Sequence, residues 1–245
     1  MSQDKQVALI TGANKGIGLE TARQLGKLGI TVILGSRDAN KGEAAAAKLR
    51  AEGIDARPLK LDIANAADRA ASVKFLEQNF GKLDILINNA GIASEGWSGN
   101  STSTASPETI QRIFETNLFA PVALTQALLP LLRKGPAARI VNLSSIMGSL
   151  TLHSDPQSPI YGMKPFAYDA SKSALNAFTI HLAHELRDTG IKVNSAHPGW
   201  VKTDMGTDAA PMDVVVGATT SVALATLPGD GPTGAFIHMG KPLPW

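Results

Sequence analysis

Short runs rich in apolar and β-branched residues alternate with helix-forming stretches along the whole chain. The strand-like runs are Val7–Thr11, Thr31–Ser36, Ala56–Leu61, Ile85–Asn88, Arg139–Ser144, Lys192–Ala196 and Ala235–His238. Several are apolar on consecutive positions, as in Val7-Ala8-Leu9-Ile10 and Ile85-Leu86-Ile87, the pattern of strands buried on both faces. Between them, Gly18, Ala22, Leu25 and Gly29 fall at helical spacing, and Asn40–Glu52 is rich in Ala, Lys and Glu. Pro107–Leu132 reads as one helix, and Leu175, Phe178, Leu182 and Leu186 mark another. Strand–helix alternation of this kind predicts an α/β fold: a doubly wound, mainly parallel sheet of seven strands with helices on both faces. No repeat or linker divides residues 1–245, so a single domain is expected.

Two stretches interrupt the rhythm. Ser94–Ser106, rich in Ser, Thr and Gly around Trp97, is expected to be a surface loop. Residues 148–165 carry Pro156, Pro159 and Pro165 between a strand and a helix, and a loop of that length is more often functional than idle.

Composition narrows the classes. With 23 Lys and Arg against 21 Asp and Glu, net +2, bulk charge offers no nucleic-acid surface. The absence of cysteine removes disulfides, thiolate catalysis and zinc or iron–sulfur sites built on thiolates. No apolar run approaches the roughly 18 residues of a membrane helix. Met1–Gln6 is polar and leads into the first strand, so no secretory signal is expected. A cytoplasmic protein with no membrane partner and no metal follows as the expectation.

The candidate chemistry begins where the first strand meets the first helix, at Thr11-Gly12-Ala13-Asn14-Lys15-Gly16-Ile17-Gly18. Glycines there let the backbone turn tightly and let a pyrophosphate approach main-chain amides at a helix N-terminus. Alone, such a cluster is also an ordinary turn. Asn88-Asn89-Ala90-Gly91 follows the fourth strand, Ser144-Ser145 the fifth, and Tyr168-Asp169-Ala170-Ser171-Lys172 lies on a helix. The carboxyl ends of parallel strands share one rim, which is where ligands bind in such sheets.

In order and spacing these motifs resemble the short-chain dehydrogenase/reductase family, from about residue 6 to the C-terminus, with Pro198-Gly199 after the sixth strand also fitting. Lys15, Ser144-Ser145-Ile146-Met147 and Pro198–Met205 are most similar to the NADPH-dependent carbonyl reductases. The resemblance implies a Rossmann-type fold and an NADP(H)-dependent oxidoreductase that reduces a ketone or aldehyde. It implies a catalytic tetrad of Asn117, Ser145, Tyr168 and Lys172, with Asn117 holding a water in the proton path. Ser144 is the alternative to Ser145, but the second serine of the pair is the one implied. Gly12, Asn14, Lys15, Gly16, Ile17 and Gly18 would cradle the dinucleotide. Asp62 and Ile63 would flank the adenine, Asn89 and Gly91 its ribose, and Pro198, Gly199, Val201 and Thr203 the nicotinamide end, under a flap at about residues 200–212. A cap on the following helix is a second role open to Asp62.

The residue types fit that chemistry. No acidic side chain ends the second strand; Ser36 and Arg37 stand there, a hydroxyl and a guanidinium suited to a 2′-phosphate, with Lys15 nearby. Asp38 is read as a helix N-cap. Tyr168 and Lys172 are four apart and share a helix face. Bringing a phenol from ~10 to ~7 requires about 4 kcal/mol, which a neighbouring ammonium and a cationic nicotinamide can supply. Ser145 would bind the substrate oxygen, and Met147, Trp200 and Met205 would wall a hydrophobic or aromatic substrate, with core packing as their plainer role. A regulator that binds NADP without turnover, the reverse alcohol dehydrogenation and a sugar-nucleotide epimerase are the rival readings. Too few residues follow Pro198 for the last. The number of subunits is left open.

Overall fold

A computed structural model describes residues 5–93 and 102–245. The chain runs β1 (Val7–Thr11), α1 (Gly16–Lys27), β2 (Thr31–Ser36), α2 (Ala39–Ala51), β3 (Ala56–Lys60), α3 (Ala66–Phe80), β4 (Ile85–Asn88), α4 (Pro107–Phe114), α5 (Ala120–Leu132), β5 (Arg139–Leu143), α6 (Leu150–Ser154), α7 (Phe166–Glu185), β6 (Lys192–Ala196), α8 (Val214–Ala225), β7 (Phe236–His238) and β8 (Lys241–Pro242). The strands form one sheet in the order β3-β2-β1-β4-β5-β6-β7-β8, parallel except for the final antiparallel pair. Eight strands thus replace the seven expected. Two residues, Lys241 and Pro242, are too short a run to show any alternation in sequence.

Alternation along each strand feeds two cores. Leu9, Ile33, Leu86, Ile140 and Val193 face a layer with Leu76 of α3, Leu124 and Leu128 of α5 and Leu182 of α7. Their neighbours Ile10, Leu34, Ile87 and Val141 face Ala22 and Leu25 of α1, Leu49 of α2 and Leu224 of α8. Both faces are therefore dry, as parallel strands require. Asp38 caps α2 by accepting from the Asn40 and Lys41 amides, as its sequence position suggests. The cap of α3 is Asn65, not Asp62, whose carboxylate accepts from the Ala64 amide.

Two expected elements differ. Pro107–Leu132 is helical throughout but is interrupted by a π-helical turn at Glu115–Phe119 between α4 and α5. Residues 148–165 are not wholly a loop: Ser149 caps the short helix α6, and turns lead to Pro165. Of the Ser94–Ser106 segment, residues 94–101, including Trp97, lie outside the described residues, as do Met1–Asp4. No helix among the described residues is long and apolar enough to cross a membrane.

A buried polar ladder lies beneath the carboxyl rim of the sheet. Asn88 on β4 donates to Asn142 on β5 (2.8 Å) and to Thr125 on α5 (3.0 Å). Asn142 donates to Thr179 on α7 (2.8 Å), and Thr179 contacts Ser195 on β6 at 2.9 Å. These bonds join three strands to α5, which follows the turn carrying Asn117, and to α7, which carries Tyr168.

Candidate active site

The β1–α1 turn is shaped by its glycines. Gly12 and Gly16 have φ of +63° and +58°, a region costly for any residue with a Cβ. A Cβ on Gly18 would fall 2.4 Å from the Asn89 amide nitrogen. Asn89 donates its side-chain amide to the Thr11 carbonyl (2.7 Å), and the Thr11 hydroxyl accepts from the Asn89 and Ala90 amides, both at 3.0 Å. The Asn89 side chain is therefore built into the glycine turn, bracing it from β4, while the residue also lines the groove above it.

The turn opens into a groove of about 860 Å³ along the carboxyl rim. Asn14, Lys15, Ile17, Ser36, Arg37, Asp62, Ile63, Gly91, Tyr168, Lys172, Pro198 and Thr203 all line it. Ser36 lines it with a buried hydroxyl that donates to the Asp38 carbonyl (2.8 Å), which commits that group to the start of α2. Lys41, missed in the sequence, lines the groove from the first turn of α2, with Arg37 just before the Asp38 cap. Asp204 was missed likewise: it lies on the far wall and pairs with Lys15 across the groove.

At the other end Tyr168 is 6% exposed and Lys172 5%. Ser145 hydrogen-bonds the Tyr168 phenol, and its Oγ also accepts from the Met147 amide (3.2 Å), capping a 3-10 turn at Ile146–Gly148. The Ile146 amide donates to Nδ1 of His197 (3.2 Å), whose burial pushes its pKa down to about 3 and keeps the ring neutral. The Lys172 ammonium donates to the Leu143 carbonyl (2.8 Å) and lies 5.6 Å from the centroid of the tyrosine ring. Asn117, at the centre of the π-helical turn, accepts from the Ile92 amide and donates to the Ile92 carbonyl, both at 2.9 Å, and donates to Ser171 at 3.0 Å. A Cβ on Gly91 would sit 3.4 Å from Asn117 Oδ1 and 3.5 Å from Lys172 Nζ, so glycine keeps that corner open.

The ionisation of the tyrosine differs from the sequence expectation. Burial raises the Tyr168 phenol to about 12, with the Asp169 charge adding and the Ser145 hydrogen bond opposing. Burial also lowers Lys172 to about 8. An ammonium one turn away does not by itself bring the phenol down, because both groups lose their water together.

The apolar wall also departs from expectation. Met147 is buried with Ile160 and Tyr168, and Ala93, Ile146, Leu152 and Met205 pack against them. Trp200 is absent from this cluster: it is 54% exposed, and its indole donates to the Gly206 carbonyl (2.8 Å), fastening the flap to itself. Gly199 and Val201 sit behind the groove. A Cβ on Gly199, at φ +89°, would collide with Met212, and buried Val201 bridges Met212 and packs on Gly217. Among the described residues no cluster of His, Asp and Glu is arranged to hold a metal.

The fold and sequence have relatives. A family model described as short chain dehydrogenase matches residues 6–213. The chain is 34% identical to "Carbonyl reductase [NADPH] 1" of Mus musculus, across 100% of both chains. It is 33% identical to "(-)-isopiperitenone reductase" of Mentha piperita, across 99% of each. Among solved structures it superposes on NADPH-bound carbonyl reductase from chicken fatty liver with a TM-score of 0.84, at 29% identity, covering 98% of this chain and 99% of that one. Salutaridine reductase from Papaver somniferum gives 0.81 at 29% identity, covering 95% and 99%. A glycine turn, a rim groove and a buried Ser–Tyr–Lys cluster, carried on a chain that matches from residue 6 to residue 213, make this protein a member of the short-chain dehydrogenase family.

Proposed function

We propose that this protein is an NADPH-dependent carbonyl reductase that converts a hydrophobic or aromatic ketone or aldehyde to its alcohol. The observation that carries the reading is the buried Ser145–Tyr168–Lys172 cluster at one end of a groove whose other end holds Arg37 and Lys41. The printed names of its relatives, reductases that use NADPH among them, point the same way.

The groove fits a dinucleotide phosphate on its own evidence. Added side chains at Gly12 and Gly18 would fill the cradle, and the buried Ser144 hydroxyl at the groove wall has no hydrogen-bond partner. Arg37 and Lys41, with Lys15 opposite, would hold the 2′-phosphate, the glycine turn the pyrophosphate, and Asp62 and Ile63 the adenine. The reduced nicotinamide supplies the hydride when bound. Everything else falls to the chain. Ser145 donates to the substrate oxygen as negative charge develops there. The Tyr168 phenol, protonated at neutral pH, gives its proton to the same oxygen. Lys172 provides positive charge beside the phenol and a donor for the ribose, while Asn117 ties the loop after β4 to α7. Met147, Ile160, Leu152 and Met205 exclude water around the phenol, which favours an apolar substrate. Residues 148–165 wall the substrate, residues 200–212 cover the nicotinamide, and the enzyme works in the cytoplasm.

The test is NADPH oxidation against a panel of aromatic ketones and quinones. Tyr168→Phe removes the proton and keeps the ring, so kcat is expected to fall about 10²–10⁴-fold with the fold intact. A retained rate would overturn the donor assignment. Arg37→Asp is expected to weaken NADPH binding roughly 10- to 100-fold and to leave NADH binding little changed, read by titrating each nucleotide.

A further inference from the structure

Tyr168 lines the groove, as do Ala93 and Met205, whereas Met147, Leu152 and Ile160 belong to the apolar cluster around Tyr168 without lining the groove. Leu152 and Ile160 come from residues 148–165, so whatever fixes that segment decides the room beside the phenol. Its front is fastened. Ser149 caps α6, and the Thr151 amide donates to the Trp245 carbonyl (2.9 Å). Residues 155–163 instead bond among themselves: the Ser158 amide donates to the Asp155 carbonyl, Tyr161 to that of Ser158, and Met163 to that of Ile160.

His153, on α6, joins the two ends of that stretch to the active site. Its Nε2 lies 2.9 Å from the Met147 carbonyl and 3.2 Å from the Asp169 carboxylate on α7. Its Nδ1 lies 3.1 Å from the Lys164 ammonium, which also donates to the His153 carbonyl (2.9 Å) and sits 5.0 Å from the centroid of the Tyr161 ring. An ammonium only donates, so Nδ1 accepts and the ring proton sits on Nε2. Burial lowers the pKa of this imidazole, in keeping with a neutral ring at pH 7. One side chain thus donates to the turn that follows Ser145 and to α7, and accepts from the residue that closes the loop.

We propose that His153 is a positioning residue: with Lys164 it clamps residues 155–163 against Tyr168, and the clamp sets how bulky a carbonyl substrate the site accepts. A compact ketone fits beside the phenol with the loop closed. A ketone with a second ring needs volume that Leu152 and Ile160 occupy, and the clamp keeps them there. Were apolar packing of Ile160 enough to hold the loop, breaking the clamp would change nothing at the phenol.

The inference rests on Tyr168 lying at the substrate site, so one arm of the test needs no turnover. The chain has two tyrosines, so in a Tyr161→Phe background nitration by tetranitromethane reports Tyr168 alone. His153→Ala is expected to raise that nitration rate about fivefold, by freeing the loop to open locally. Lys164→Met, at an exposed position, is expected to raise it too and carries the test should the alanine variant fail to fold. His153→Gln sets an amide donor near the place of Nε2 and is expected to restore the parental rate. In the second arm, kcat/KM for benzophenone relative to acetophenone is expected to rise about tenfold in His153→Ala, chiefly through KM. Parental nitration in both clamp variants overturns the proposal, and so does raised nitration with an unchanged ratio. If the parent oxidises NADPH with no carbonyl at all, the reading of the enzyme falls instead, and nitration alone decides the clamp.

Discussion

A buried histidine that never carries charge in the folded protein is a liability in acid. His197 is held to about 3 by burial and by its neighbour His238, whose ring lies 4.7 Å away, against 6.5 for a free imidazole. Between those two values the unfolded chain binds a proton that the native chain refuses. Stability from this group is therefore present above pH 6.5 and declines as the pH falls toward 3. By pH 4.5 the loss is about 3 kcal/mol. Urea unfolding at pH 7 and pH 4.5 is expected to show this drop, and His197→Asn, which has no proton to gain, is expected to narrow it. The acceptor at the residue before Pro198 is also what holds the Ile146 amide, and the motif Pro198-Gly199 is visible in sequence where this bond is not. Burial explains the same gap at Tyr168. The four-residue spacing to Lys172 is plain in the sequence, but the dehydration that raises one pKa and lowers the other depends on Met147, Ile160 and the turn around them.

Among the elements, the 3-10 turn at Ile146–Gly148 and the start of α7 must fit closely, because Ser145 and Tyr168 come from opposite sides of that contact. Gly148 marks the tightest point. A Cβ there would lie 2.8 Å from the carbonyl carbon of Lys172 and 2.9 Å from its Cβ, atoms that cannot swing away. The Gly148 carbonyl accepts from Ser173 (3.0 Å), which seals the pair. Gly148→Ala is expected to part the two elements by a fraction of an ångström and lower kcat at least ~10-fold, since small misplacements in reacting geometry are costly. Gly229→Ala, with open space around it and outside the groove, is the matched control and should leave kcat unchanged. Strand runs and helix faces were legible because burial on both sheet faces writes itself as consecutive apolar residues. The π-helical turn was not, because Glu115–Phe119 preserves the helical character of its flanks while adding one residue to a turn. That addition sets the direction of Asn117 toward Ile92.

Across the whole molecule, function and cohesion occupy opposite ends of the sheet. The carboxyl rim carries the groove, whereas the start of β5 carries Arg139, buried, with its guanidinium donating to the carbonyls of Leu227, Ala137, Ala138 and Gly190. Those carbonyls belong to the segments entering β5 and β6 and leaving α8, so a single cation ties three connections together. Arg139→Met leaves four carbonyls without their donor and is expected to lower unfolding free energy by about 2–4 kcal/mol. Because the site is a full strand away, kcat per folded molecule should stay at the parental value, measured beside urea unfolding of the same sample. The doubly wound plan and the shared rim follow from strand order, which the alternating pattern carries. Individual side-chain partners did not follow: Trp200, an apolar side chain expected to wall the substrate, donates its indole N–H to a carbonyl six residues on, a bond no sequence pattern carries.

Lys15 and Asp204 come from positions 189 residues apart and meet over the groove, both largely exposed. A dinucleotide that draws the lysine toward its phosphate must first take it from the aspartate. Dissolved salt then acts in two directions at once, loosening the clasp that resists entry and screening the attraction that rewards it. Nucleotide capture by this enzyme should accordingly vary less with ionic strength than its cluster of cations alone would suggest, and replacing Asp204 with Asn should restore the steeper dependence.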